Sequence, residues 1–212
     1  MLCNYCKKCE EFCKFNAIAI FEEQKLVFPE LCHNCGGCKL VCPQNAIFER
    51  DVTIGKIEKG NSNGIEFIHG ILDVSQPSAV PVIKKLKKFI NSEKNTTVII
   101  DAPPGTSCAM MEAVEESDYC ILVTEPTPFG LNDLRLAVDV VRELNVNFGV
   151  IINRSDIGNN SVKEYCMKEN IEILMEIPHS RKIAEAYSKG INLIDALPEY
   201  RGKFNSMLEK IS

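Results

Sequence analysis

Eight cysteines within the first 42 residues constrain this chain more than any other feature of its sequence. They form two copies of the spacing C-x2-C-x2-C-x3-C, in "CNYCKKCEEFC" and "CHNCGGCKLVC", which lie 29 residues apart. Related segments, "FNAIAIF" and "QNAIFER", follow the two copies, so the region is a tandem repeat of one unit. The eight candidate ligands are Cys3, Cys6, Cys9, Cys13, Cys32, Cys35, Cys38 and Cys42.

The rest of the composition narrows the function classes. The start "MLCNYCKKCEEF" lacks the apolar stretch of a signal peptide, and no apolar run reaches the about 18 residues of a membrane span. We therefore predict a cytoplasmic protein with no membrane partner, in which dense cysteines favour metal binding over disulfides. The net charge of −5, all of it outside residues 1–60, argues against a nucleic-acid partner.

The cysteine spacing suits a cubane iron–sulfur cluster. Two residues between ligands let a tight loop wrap three corners of one cube, and the fourth cysteine of such a run ligates the other cluster in two-cluster proteins. Each predicted [4Fe-4S] cluster then takes three ligands from one loop and one from the other: Cys3, Cys6, Cys9 and Cys42, and Cys32, Cys35, Cys38 and Cys13. Zinc is the competing interpretation, although zinc sites usually use two well-separated C-x2-C pairs.

The region resembles bacterial-type ferredoxins with two [4Fe-4S] clusters, and short predicted strands in "AIAIF" and "KLVFP" fit a small α+β domain. It departs from that pattern at Lys14, where the usual proline would follow Cys13. Gly36 and Gly37 permit backbone conformations that direct amides at sulfur atoms, and such hydrogen bonds tune the cluster potential.

Strands alternate with helices from about residue 78 onward, after two further predicted strands in 53–60 and 64–73. The predicted strands are the apolar runs 96–101, 119–126, 147–153 and 171–178. The predicted helices are 78–90, 131–144, 161–169 and 180–190. This alternation predicts a parallel sheet with helices on both faces, whose ligands bind beyond the carboxyl ends of the strands.

The segment "DAPPG" lies at such a strand end. Asp101 ends the predicted strand, and a carboxylate there can hold a hydrated Mg²⁺ that bridges nucleotide phosphates. Gly105 can bring its backbone N–H close to a terminal phosphate. A strand end with a rigid turn is the structural alternative.

Several stretches, in order along nearly the whole chain, resemble MinD-type P-loop ATPases of the subgroup with an inserted ferredoxin domain. They include "IHGILDVSQPSAVPVI", "VIIDAPPGTSC", "GVIINRSD" and "ILMEIPHSRKIAEAYSKG". The resemblance implies ATP and Mg²⁺ as ligands, with Asp101 as the catalytic residue and Gly105 beside it in the switch loop at the γ-phosphate. It further implies that Asn153 reads adenine, that Pro178 borders the base, and that Asp73 belongs to the other switch segment.

Two domains follow from this resemblance. Residues 1–60 are expected to form the ferredoxin-like domain, and residues 61–212 are expected to form the C-terminal part of the MinD-like ATPase domain. The sequence contains no G-x-x-x-x-G-K-[ST] loop, and in this family that loop follows a strand lying between the strand that ends at Asp101 and "CILVTE". The absence of this loop has three explanations, ranked in this order: a truncated start, a split protein and a functional stand-alone form.

Two functions therefore compete. One is an iron–sulfur ATPase that couples nucleotide binding to electron transfer or to the assembly of a metal cofactor or cluster. The other is a two-cluster electron carrier or cluster-binding module without ATPase activity. Expected partners are a redox partner or cofactor-assembly protein, with a homodimer or an N-terminal half supplied in trans as further possibilities.

Overall fold

A computed structural model describes residues 2–90 and 96–211 of the chain. The chain divides into two compact units, Met1–Val98 and Ile99–Ser212. No helix in the described part of the chain is both long enough and apolar enough to cross a membrane.

The first unit, unit 1, contains short helices and two β-hairpins. Its helices are α1 (Lys8–Phe12), α2 (Gly37–Leu40) and α3 (Val80–Lys87), with a 3-10 turn at Pro29–Leu31. Its strands are β1 (Ile18–Phe21), β2 (Gln24–Val27), β3 (Gly55–Ser62) and β4 (Ile65–Leu72). The predicted pairs of strands in both halves of this unit are therefore confirmed.

Both hairpins are antiparallel. Strands β1 and β2 pair from Ile18 opposite Val27, and β3 and β4 pair from Gly55 opposite Leu72. Helix α3 packs closely on the second hairpin, because a Cβ atom at Gly70 would meet the side chains of Val82 and Leu86. Glycine at position 70 therefore permits the close approach of strand and helix.

The second unit, unit 2, is an α/β layer structure. Its strands are β5 (Tyr119–Thr124), β6 (Asn147–Asn153) and β7 (Ile173–Ile177), paired in parallel in the order β5-β6-β7. Its helices are α4 (Cys108–Val114), α5 (Pro128–Glu143), α6 (Ser161–Lys168), α7 (Arg181–Ser188), α8 (Leu193–Ala196) and α9 (Glu199–Ile211).

Helices cover both faces of this sheet, as predicted. On one face, Val138 of α5 and Val162 of α6 pack with Ile152 of β6 in the main apolar core. On the other face, Met207 of α9 packs with Ile151 and Met175. The helical periodicity of "LNDLRLAVDVVREL" produces this burial, because its apolar residues recur on one face of α5.

The strand predicted over 96–101 is wrong. Residues 96–101 have no regular secondary structure, and Ile99 is 85% exposed. Among the described residues, β5 pairs only with β6. A β-branched run forms a strand only where a neighbouring strand satisfies its backbone groups, so local propensity alone does not order this segment.

Candidate functional site

All eight repeat cysteines line one cavity in unit 1. The cavity has a volume of about 1250 Å³. Apolar side chains from the same unit, among them Phe12, Phe15, Ile18 and Ile20, complete part of its wall. The structure therefore brings together all the cysteines that the sequence marked as ligands, and it places apolar side chains beside them.

The 29-residue repeat is visible in the backbone around this cavity. Three positions in each repeat adopt left-handed conformations with φ between 47° and 71°: Tyr5 and Asn34, Lys7 and Gly36, and Asn16 and Asn45. Helices α1 and α2 begin directly after the second of these positions. Alternation of right- and left-handed residues turns successive N–H groups toward a common point and makes an anion-binding concavity.

Backbone amides donate hydrogen bonds to the sulfurs. The Ala17 N–H lies 3.4 Å from Cys13 Sγ, and the Ala46 N–H, which is equivalent in the repeat, lies 3.3 Å from Cys42 Sγ. The Tyr5 N–H lies 3.5 Å from Cys3 Sγ. Amide donors of this kind are among the groups that tune the potential of an iron–sulfur cluster.

The pKa values report which thiols lie near one another. Burial raises the pKa of the Cys9 thiol, and the charges of Cys3 and Cys42 raise that pKa further, against a lowering by the Glu10 N–H. Burial likewise raises the pKa of the Cys38 thiol, and the charges of Cys32 and Cys35 raise that pKa further. Cys42 of the second repeat is thus an electrostatic neighbour of Cys9 in the first.

The donor set of the cavity fits iron–sulfur clusters. Thiolate is a soft ligand that suits such clusters, and a bound metal centre offsets the mutual repulsion of grouped thiolates. In the described part of the chain, no three side chains of His, Cys, Asp or Glu converge on a point that could hold a single metal ion. The thiols instead surround a volume.

Sequence reasoning missed several residues that shape this cavity. The rings of Phe15 and His33 stack with centroids 3.7 Å apart and an interplanar angle of 7°. Phe12 covers Gly37 so closely that a Cβ atom at this glycine would meet its ring. Ala17 and Ala46, whose N–H groups donate to cysteine sulfurs, could have been found from the sequence, because each lies four residues after the last cysteine of its repeat.

The residues expected to bind nucleotide lie in unit 2, and the structure brings two of them together. Asn153 ends β6, and its partner in the parallel register is Ile177, the last residue of β7. Pro178 follows directly, so Asn153 and Pro178 lie at the carboxyl edge of adjacent strands. Asp101 and Gly105 lie in an exposed irregular segment before α4, where Gly105 has a φ of 85°.

Three contacts connect the loops at this carboxyl edge. The Asp156 carboxylate accepts a hydrogen bond from the His179 N–H, and the Ser155 N–H donates to the Ile177 carbonyl at 3.0 Å. Arg154 Nε lies 3.5 Å from Glu125 Oε1. Arg154, Ser155 and Asp156 were not singled out from the sequence, although they follow the predicted strand 147–153 directly.

Comparison with known families agrees with this architecture. The sequence model of the NUBPL iron-transfer P-loop NTPase family (ParA) matches residues 74–212. The chain belongs to this NUBPL iron-transfer P-loop NTPase family. Within it, a 4Fe-4S dicluster domain model matches residues 2–47, so this family member carries an iron–sulfur-binding domain ahead of its NTPase region.

Individual proteins resemble the chain to different extents. An uncharacterized protein of Methanocaldococcus jannaschii is 30% identical over 179 residues, which are 84% of this chain and 62% of that protein. An iron-sulfur cluster carrier protein of Rickettsia bellii is 31% identical over 125 residues, which are 57% of this chain and 39% of that protein. The chain thus spans less than two thirds of the length of either relative.

A solved structure shares the fold. The cell division ATPase MinD of Pyrococcus furiosus superposes with a TM-score of 0.51 at 24% sequence identity, covering 67% of this chain and 64% of that chain. This likeness establishes the MinD-type P-loop NTPase fold, in which parallel strands and flanking helices correspond to unit 2.

Proposed function

We propose that this family member holds two [4Fe-4S] clusters in the cavity of unit 1. It would use them in electron transfer or in assembly of a metal cofactor or iron–sulfur cluster, under the control of nucleotide binding. The observation that carries the proposal is the convergence of all eight repeat cysteines on one cavity. The partner would be a redox protein or a protein that receives or builds a cofactor.

Each cluster is proposed to take three ligands from one repeat and the fourth from the other. Cys3 and Cys42 lie close enough to raise the pKa of Cys9, which supports grouping these three thiols, and the repeat spacing adds Cys6 to the group. The influence of Cys32 and Cys35 on Cys38 supports the core of the second group, completed by Cys13. When bound, such clusters supply one-electron transfer at potentials set by hydrogen bonds and solvent exposure.

The protein's own residues would set those conditions. Amides of Ala17 and Ala46 donate to the fourth cysteine of each repeat, and the side chains of Phe12 and Phe15 form part of the cavity wall. Fewer waters and more N–H donors shift the potential in opposite directions, so the balance at each cluster decides its potential.

The nucleotide site is proposed at the carboxyl edge of the sheet in unit 2. Asn153 and Pro178 would border adenine, and Asp101 and Gly105 would face the γ-phosphate and Mg²⁺. The position of Asn153 at a strand end supports this assignment, since ligands of parallel sheets bind there. The boundary between the two domains is proposed near residue 60, between the two regions that the family models match.

The first experiment is anaerobic reconstitution with iron and sulfide. The expected product contains about eight iron and eight sulfide per chain and absorbs near about 400 nm. Cys108→Ser is the matched control, because this exposed cysteine lies outside the cavity, and it should leave the iron content unchanged. Zinc without sulfide would refute the proposed function.

A stand-alone electron carrier without a nucleotide site is the second candidate. Titration of the reconstituted chain with MgATP separates the two candidates. Dissociation constants below about 1 μM, typical of ligands bound by more than about 8 kcal/mol, would exclude a carrier without a nucleotide site. If no binding of MgATP is detected at millimolar concentration, the result would favour the electron carrier.

A further inference from the structure

The wall of the cysteine cavity is not built from the ferredoxin-like region alone. Ser75, Gln76, Pro77 and Pro81 also line it. These residues lie within the stretch 74–212, which the NTPase family model matches. The stretch that the dicluster model matches ends well before them, at residue 47. One cavity therefore has contributions from both functional regions of the chain.

The local structure holds this short segment in a defined turn. The Asp73 N–H donates to the Ile54 carbonyl at 2.8 Å, and the Gln76 N–H donates to the Asp73 carbonyl at 3.2 Å. Ser75, between them, has a φ of 68°, a left-handed conformation that a residue with a side chain adopts at some cost. Helix α3 begins four residues after Gln76, with Pro81 in its first turn.

Gln76 is the residue of this turn best placed to act on the cavity. Its side chain is half-buried, whereas Ser75 and Pro77 on either side are exposed. A carboxamide supplies N–H donors to sulfur without adding charge. Hydrogen bonds to sulfur and access of water are two of the factors that set the potential of an iron–sulfur cluster.

We propose that the turn Asp73–Pro77 couples the NTPase region to the iron–sulfur clusters, with Gln76 as the residue that faces them. This inference rests on the proposed function, since it requires clusters in the cavity. A displacement of the turn changes the donors and the water next to the clusters, and therefore their potential. Coupling is reciprocal, so the redox state of the clusters also biases the position of the turn.

A pair of opposite charge substitutions tests the contact. Gln76→Lys should raise the midpoint potential of at least one cluster, because a nearby positive charge favours the reduced and more negative state. Gln76→Glu should lower the same potential. The matched control pair is Asn61→Lys and Asn61→Glu, on an exposed residue of β3 outside the cavity. These two substitutions should leave the midpoint potentials of both clusters unchanged. Anaerobic redox titration of the reconstituted chain, followed by EPR, measures all four variants and the wild type.

The outcomes separate this inference from the proposed function. Opposite shifts in the Gln76 pair, with none in the Asn61 pair, support the coupling turn. Wild-type potentials in both Gln76 variants, at full iron and sulfide content, overturn this inference alone. Failure of the wild type to bind iron and sulfide overturns the proposed function and this inference together.

A second measurement tests the turn without adding charge. Ser75→Val places a β-branched residue in the left-handed region and should disrupt the turn, whereas Ser75→Gly should retain it. Iron release to a chelator should therefore be about fivefold or more faster in Ser75→Val than in Ser75→Gly, which corresponds to the roughly 1 kcal/mol or more of such strain. Equal release rates in the two variants would show that the turn does not cover the clusters.

Discussion

Unit 1 and unit 2 are ordered by different means. In the described part of unit 1, only Ala17, Ile20 and Gly37 are buried, and eight cysteines surround a cavity. Unit 2 instead has two apolar clusters, one on each face of its sheet, with Val138 and Ile152 fully buried. Unit 2 follows the usual rule for α/β layers, whereas unit 1 has too little apolar core to be stable by packing alone.

The difference shows how a cofactor can replace a core. Small domains that bury little apolar surface depend on metals or disulfides for their stability, and metal binding then supplies folding free energy. None of the eight repeat cysteines forms a disulfide. We therefore expect the proposed clusters to determine whether unit 1 folds and to leave the stability of unit 2 unchanged.

Cluster removal should give the largest effect. Treatment of the reconstituted chain with a chelator and an oxidant should speed proteolytic cleavage between residues 2 and 60 by at least about 100-fold. The free-energy change that a roughly 100-fold faster cleavage represents is smaller than the about 10 kcal/mol or more that metal binding supplies to small metallo-domains. Mass mapping of the fragments locates the cleavage sites.

Cleavage within β5, β6 and α5 serves as the internal control in the same sample, because these elements pack around an apolar core. Protection there should not change. Equal loss of protection in both units would break the comparison, since it would mean that the clusters stabilise the whole chain.

A core substitution should affect unit 2 alone. Ile152→Ala removes a fully buried side chain and should lower the free energy of unfolding of unit 2 by about 2–5 kcal/mol. Val123→Ala, at a position that is 65% exposed, should cost less than about 0.5 kcal/mol. Urea unfolding followed by far-UV circular dichroism measures both, while iron content should equal that of the wild type. Loss of iron in Ile152→Ala would contradict independent stabilisation.

A smaller effect is expected for packing at the edge of the cavity. Gly37→Ala places a methyl group against the Phe12 ring and should destabilise the holo form of unit 1 by about 1–3 kcal/mol, the usual cost of overpacking. Gly60→Ala, whose added Cβ meets no atom within 4 Å, is its control. Rates of iron release to a chelator should be raised in the first variant and unchanged in the second. Equal rates would mean that Phe12 moves away at little cost.

Local sequence patterns predicted most elements of both units because each pattern reflects a contact that forms nearby. The repeat placed the eight cysteines together, and apolar periodicity located α5 and its neighbouring strands. The run 96–101 failed for the opposite reason, since a strand depends on a partner that its own residues do not specify. Its β-branched residues are exposed and irregular in the structure.

Contacts between distant segments that no repeat or motif marks could not be predicted from the sequence. The Phe15–His33 stack and the cavity wall at Gln76 bring together residues whose separation follows no repeat or period. The edge contact between Asp156 and His179 also spans two loops. In each case the partner is chosen by the fold, and only an arrangement in space reveals it.

Exchange of ligands between the two repeats is the central claim, and single cysteine variants test it most directly. In reconstituted protein, EPR of Cys42→Ser should show the same altered cluster as Cys9→Ser, although these residues lie in different repeats. Cys13→Ser should instead alter the cluster that Cys38→Ser alters. If Cys42→Ser matched Cys38→Ser, and Cys13→Ser matched Cys9→Ser, each repeat would hold its own cluster and the crossed arrangement would be wrong.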